Sequence, residues 1–321
     1  MGNKSMIQKS AGLPPPLLPA MVGAVTLSNV YAGTFGFVWI QHVTTIAAMI
    51  VWLFALIKIF VHFDVFKNEY KTTVPASLYA GFTMLMMLFG AYVFPHSAAI
   101  GKGLWLVGIG LHAAHILVFT FMNVIKGVNT AAFVPTWFVT YNGILVSVVV
   151  GGAMGEPLIS RVITWYGLAV YAVLLVFMIP RIAARPLAAP LLHAKAIFLA
   201  PASLCFVGYL NTVGSANALV IYILYAAVFL SFLYFLKNIP AFFAVPFTPG
   251  FAGLTFPNAI GVVASLRMAG WLEATGNTGL SRVVREIAGI QFYITTAVIA
   301  YVLFGFIRMF VKSCAKEEAA E

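Results

Sequence analysis

Ten stretches of roughly 20 apolar residues, joined by short polar links, dominate this sequence. They lie near 17–35, 38–61, 75–95, 101–125, 130–153, 158–179, 194–214, 216–238, 248–270 and 284–308. Each is long enough to cross the hydrocarbon core of a bilayer, where every backbone N–H and C=O must find its partner within the protein. Only helices and closed barrels meet that demand. A barrel strand alternates polar and apolar residues over about ten positions, whereas runs such as Ala216 to Leu236 are apolar on every face. The chain therefore predicts an all-α polytopic membrane protein of ten transmembrane helices, paired as five antiparallel hairpins because the links are short. Of its 321 residues, 62% are hydrophobic and 8% charged, which excludes a water-soluble enzyme, since soluble domains carry about a quarter charged residues. Residues 1–16 are expected to be a short tail, 17–308 the membrane domain, and 309–321 a second tail. Met1 to Leu13 lacks the apolar core and small-residue cleavage site of a signal peptide.

The net charge of +10 finds its explanation in topology. If the N-terminus is cytosolic, that side receives thirteen of the eighteen basic residues, among them Lys4, Lys58, Lys67, Lys71 and Lys316. The other side receives Lys102, Arg161, Arg267, Arg282 and Arg285. Basic residues concentrate on the cytosolic side of membrane proteins, so both termini are placed there and no nucleic-acid partner is implied.

Proline writes a repeat along the chain. Pro19, Pro75, Pro135, Pro201 and Pro257 fall in spans one, three, five, seven and nine, separated by 56, 60, 66 and 56 residues. The even spans show no interior proline, with Pro180 and Pro240 where spans six and eight end. A glycine follows each odd-span proline: Gly23, Gly81, Gly143, Gly208 and Gly261. Proline removes a backbone donor and bends a helix, so the pattern reads as five kinked, glycine-bearing helices approaching a common axis, covered by five straight ones. Because the units are an even number of helices apart, they share one orientation, unlike inverted transporter repeats.

Chemistry-bearing residues are sparse. The interior of the odd spans holds no carboxylate relay of the kind proton-driven pumps use. Helix dipoles, hydroxyls such as Thr26, Ser28 and Ser203, and the positive field would have to select a permeant, and the field favours anions. A neutral-solute facilitator is equally compatible with these facts. There is no HExxH, GxSxG or Walker motif, and Cys205 and Cys314 offer neither a disulfide framework nor a CxxC metal site. No cofactor or metal is expected. His112 and His115 share one face of span four, as a metal pair or, by default, as packing residues. Asp64 and Glu69 sit beside Lys67 and Lys71, where a solvated charge cluster is the default. Arg282, Arg285 and Glu286 at the start of span ten suit an ion pair or an anion-attracting vestibule. Phe256, directly before Pro257, takes its direction from the break there and could project into a narrow axis.

The segment Phe247 to Arg267, FTPGFAGLTFPNAIGVVASLR, resembles the ninth helix of the tellurite-resistance/dicarboxylate transporter family, with its TFP centre. PTWFVTYNG at 135–143, APASLCFVGYL at 200–210, VPASLYAGF from Val74 and GAVTLS at 23–28 resemble its fifth, seventh, third and first helices. That family includes bacterial TehA, yeast malate and sulfite transporters, and plant slow-type guard-cell anion channels. The resemblance implies a quasi-fivefold arrangement of five hairpins around a central pore, assembly as a homotrimer, and residence in an inner or plasma membrane. It also implies small anions as permeants, chloride or nitrate among them, and a pore-occluding phenylalanine on the ninth helix. Phe256 occupies the matching position, with Phe251 as the fallback if the register differs, and the prolines and glycines named above would line or shape the pore. Members also include proton-coupled carriers of C4-dicarboxylates and carriers of oxyanions such as tellurite or sulfite, which stands as the alternative activity. Two departures are visible. GFAGL replaces the tryptophans that many members carry before TFP, and the tails are far shorter than the kinase-regulated tails of the plant channels.

Overall fold

The computed structural model describes residues 6–214 and 216–318, with side chains to residue 315; Lys4 and the Lys316 side chain, used above for orientation, lie outside the described residues. All regular elements among the described residues are helical. Nine helices among the described residues are long and apolar enough to cross a membrane: α1 Leu17–Phe35, α2 Val38–Val61, α3 Thr73–Val93, α4 Ala98–Ile125, α6 Pro157–Ala184, α7 Ala189–Thr212, α8 Ala218–Phe243, α9 Pro249–Ala274 and α10 Thr278–Ala315. Between α4 and α6 lies a shorter apolar helix, α5 Trp137–Val150.

That short α5 corrects the expected span 130–153. It starts late because Gly127, at φ 113°, ends the preceding helix, and Pro135 lacks an N–H and disfavours helix in the residue before it. It is then interrupted by a 3₁₀ turn at Gly143–Leu145. The prolines are corrected too. Pro19, Pro201 and Pro257 are the third residues of the α-helical segments Leu17–Phe35, Leu199–Thr212 and Thr255–Ala274. In a first turn the backbone N–H has no intrahelical acceptor, so proline starts these helices instead of kinking their middles. In α7 and α9 the break falls inside the span, because 3₁₀ turns at Ala189–Phe198 and Pro249–Leu254 come first. Pro75 likewise opens Thr73–Leu78, which hands over to Ala80–Val93 at Tyr79. Nor is proline confined to odd helices: α6 and α8 run past Pro180 and Pro240 to Ala184 and Phe243. The last helix starts earlier than expected and continues through the supposed tail to Glu318.

The helices sort into an inner and an outer set. In α1, α3, α7 and α9, between 67% and 83% of the most apolar stretch is buried, against 22% to 33% in α2, α4, α6, α8 and α10. The inner helices touch in a circuit, α1 with α3, α3 with α5, α5 with α7, α7 with α9 and α9 with α1, and each packs on the even helix that follows it. Glycine makes the inner seams. A Cβ at Gly81 would lie 2.7 Å from the Pro19 nitrogen, at Gly143 3.0 Å from Met84 Sδ, at Gly208 3.3 Å from Leu145 Cδ2, and at Gly261 2.9 Å from Leu199 Cδ2. At Gly23 it would lie 2.5 Å from the backbone nitrogen of Phe256. Each glycine thus faces the preceding inner helix, and Gly23 closes the circuit against α9.

Candidate functional site

Two cavities lie along the axis enclosed by the inner helices. The smaller, about 30 Å³, is on the scale of a water molecule. It takes wall residues from all five inner helices: Pro19, Leu78, Phe138, Ala200 and Pro257 are examples. The larger, about 460 Å³, is walled by α1, α3, α5 and α9, through residues such as Asn29, Leu88, Val149, Ile260 and Arg267. Among the described residues Phe256 alone lines both walls. It is 5% exposed, the second residue of the α-helical part of α9, and its backbone is pressed against Gly23. Neighbouring Thr255 donates to the Ala252 carbonyl at 2.8 Å and Asn258 to the Leu254 carbonyl at 2.6 Å, tying down the 3₁₀-to-α junction on either side.

The other sequence-derived candidates fall in several places. Pro19, Gly143 and Pro257 line the small cavity; Gly23, Gly81, Gly208 and Gly261 are in neither wall and form helix seams instead. Pro75, Pro135 and Pro201 are also in neither wall. Phe251 is fully buried elsewhere, with its ring centroid 3.8 Å from that of His193 and packed against Phe247 and Tyr301. Of the three hydroxyls, only Thr26 reaches a cavity. All three donate back to their own helix, Thr26 to Val22, Ser28 to Val25 and Ser203 to Leu199.

His112 and His115 are buried in the seam of α3, α4 and α5 and are in neither cavity wall, although His112 packs behind Gly143 of the small cavity. His112 donates from Nε2 to the Thr140 carbonyl at 2.9 Å and accepts at Nδ1 from the Thr83 hydroxyl at 2.7 Å. His115 accepts at Nδ1 from the Tyr70 hydroxyl at 2.5 Å and donates from Nε2 to Thr140 Oγ1 at 3.2 Å. Burial pushes the Tyr70 hydroxyl, outside the spans, up to about 12, so it keeps the proton it donates. Every ring nitrogen is therefore occupied, and the packing role accounts for both residues.

Glu69 is no member of a solvated cluster, which corrects the sequence expectation. Lys58, 1% exposed near the end of α2, reaches over the turn to Glu69 Oε1 at 2.7 Å and donates to the Leu13 carbonyl at 2.8 Å. The other Glu69 oxygen accepts from Tyr79 at 2.5 Å. A lysine inside an otherwise apolar run with a carboxylate just past the turn was the available signal. On the opposite face Lys102 pairs with Glu156 at 2.6 Å and Arg285 pairs with Glu273. Arg267 is held instead by the amide oxygen of Asn211.

No curated protein matches the chain. A family model described as voltage-dependent anion channel matches residues 13–307, which takes in all ten helices from α1 up to the last turns of α10. The chain belongs to the voltage-dependent anion channel family of multi-pass membrane proteins, the family that its odd-helix motifs resemble.

Proposed function

We propose that this protein is an anion channel whose pore runs along the axis of the inner helices, with Phe256 as its gate. The observation that carries the proposal is the position of Phe256 between a cavity of about 460 Å³ and one of about 30 Å³. The circuit of inner-helix contacts supports five hairpins in a quasi-fivefold arrangement around that axis. With no carboxylate in either wall, nothing repels an anion. A largely apolar passage, charged only at Arg267 in the wall of the larger cavity, gives back little hydration energy, so weakly hydrated anions such as nitrate pass more readily than chloride. Moving the ring out of line asks for a rotamer change, of order 1 kcal/mol. The reading includes a homotrimer in an inner or plasma membrane, as the family resemblance implies, with both termini in the cytosol, in keeping with the distribution of basic residues.

The test is anion current through purified wild-type and Phe256→Ala protein in a planar bilayer at equal pH. Small wild-type currents, larger mutant currents and reversal near the anion equilibrium potential are expected. Unchanged conductance in a folded mutant removes Phe256 from the gate. A proton-coupled dicarboxylate or oxyanion carrier would instead give uptake only under a proton gradient.

A further inference from the structure

We propose that Arg267 and Asn211 build an anion-collecting site at the mouth of the larger cavity, on the far side of Phe256. This rests on the channel reading for its purpose but on separate observations for its existence. Among the described residues Arg267 is the one charged side chain in the walls of the two cavities. It lies eleven residues beyond Phe256, about 16 Å along the helix at 1.5 Å per residue. That is about two Debye lengths at physiological salt, so it acts on ions entering the mouth and not on the gate.

Its partner is what makes it effective. Lys102 and Arg285, on the same face, are each paired to a carboxylate, while Arg161 and Arg282 are in neither cavity wall. Asn211 donates its amide NH₂ to the Val148 carbonyl at 3.2 Å. That fixes its oxygen toward Arg267, where it accepts from the guanidinium. The arginine is thus positioned by a neutral group, bridging α9 to α7 without losing its charge, and its remaining N–H groups stay available to an anion. Asn29 adds a second donor: its oxygen accepts from Gln41 at 2.9 Å, which turns its NH₂ away from that bond in a residue that lines the same cavity. A small monovalent anion such as chloride or nitrate is the ligand these groups suit. The site has two strong donor sets, no acceptor carboxylate and no second cation to demand a second negative charge.

Two measurements test it, with chloride as the probe. In detergent, ³⁵Cl NMR linewidth should broaden with wild-type protein, lose most of that excess with Arg267→Gln, and keep it with Arg267→Lys. In bilayers, Arg267→Gln placed on Phe256→Ala should lower chloride conductance roughly threefold at low salt and little near 1 M, where the Debye length is only about 3 Å. Asn211→Asp retains a partner for Arg267 but cancels its charge, and should act like Arg267→Gln even if the latter folds poorly. If Arg267→Gln and Asn211→Asp broaden chloride as wild type does, and low-salt conductance is unchanged, the site is overturned while the channel stands. If Phe256→Ala passes no current but the linewidth excess still needs Arg267, the site stands and the channel reading falls.

Discussion

The inner helices α1, α3, α7 and α9 are more buried than α2, α4, α6, α8 and α10, yet they are the less apolar set. In a soluble protein that order would be reversed. Here the solvent is lipid, so the most apolar surface belongs outside, and side chains such as Leu117, Val176 and Phe177 are left facing it. Inside, association gains little from hydrophobicity, and close approach through small residues takes over. Burial in this molecule is therefore carried by shape, and exposure by apolarity.

The largest test of that contrast compares two phenylalanines. Phe256→Ala should raise anion conductance about tenfold or more, the factor that a closed-state preference of about 1.4 kcal/mol withholds. Phe177→Ala, on the outer face of α6 and 63% exposed, should leave conductance as it is; equal effects would erase the distinction between pore and jacket. Next comes the pair that joins Lys58 at the end of α2 to Glu69 beyond the turn. Glu69→Gln strands the Lys58 charge, and one-sided removal from a buried pair costs about 3–5 kcal/mol. Because Glu69 is 27% exposed, the thermal midpoint should fall by less than that range implies, and Lys58→Met combined with Glu69→Gln should recover most of the loss.

A third comparison sets glycine against glycine. Gly23→Ala drives a methyl into the Phe256 backbone and should destabilise by about 1–3 kcal/mol, as overpacking does. Gly110→Ala on α4 meets nothing within 4 Å and should be neutral or stabilise by up to about 1 kcal/mol through helix propensity. Matching thermal shifts for the two would refute the seam. The smallest effect expected concerns His112→Asn combined with His115→Gln. It should lower the thermal midpoint by a few degrees, for hydrogen bonds worth about 1 kcal/mol each, and leave the pH dependence of flux unaltered. Flux that loses its response to a proton gradient would revive the coupled carrier.

Much of this architecture is legible in the sequence because outer helices are apolar on every face and links are short. Length alone separates α2 or α8 from strands, and the spaced prolines Pro19, Pro75, Pro201 and Pro257 mark where inner-helix segments begin. What stays hidden depends on geometry between distant segments. The run 130–153 looks continuous because its valines satisfy any apolarity test, while Gly143 and Pro135 cut it to a short, broken α5. The prolines stand out, but not their place in the first turn, since that depends on where each 3₁₀ segment ends. Phe256 is suggested by its neighbour Pro257, whereas Arg267 counts in the sequence only as one more basic residue at a helix end. Its partner Asn211 lies 56 residues away, beyond the reach of any local pattern.

The seam closed by Gly23 has a consequence for how the protein is made. Thr255 Oγ1 lies 3.4 Å from the Pro19 carbonyl across 236 residues of chain, so the first inner helix waits for nearly the whole sequence to be synthesised before it meets the ninth. Until then the nascent chain is an open arc, with the glycine face of α1 turned to lipid or to whatever insertion machinery attends it. A ribosome-stalled chain ending before residue 249 should accordingly leave a cysteine placed at Thr26 open to lipid-side labelling, and release of the full chain should protect it. Protection in the stalled chain would mean that a surrogate wall is supplied during biogenesis.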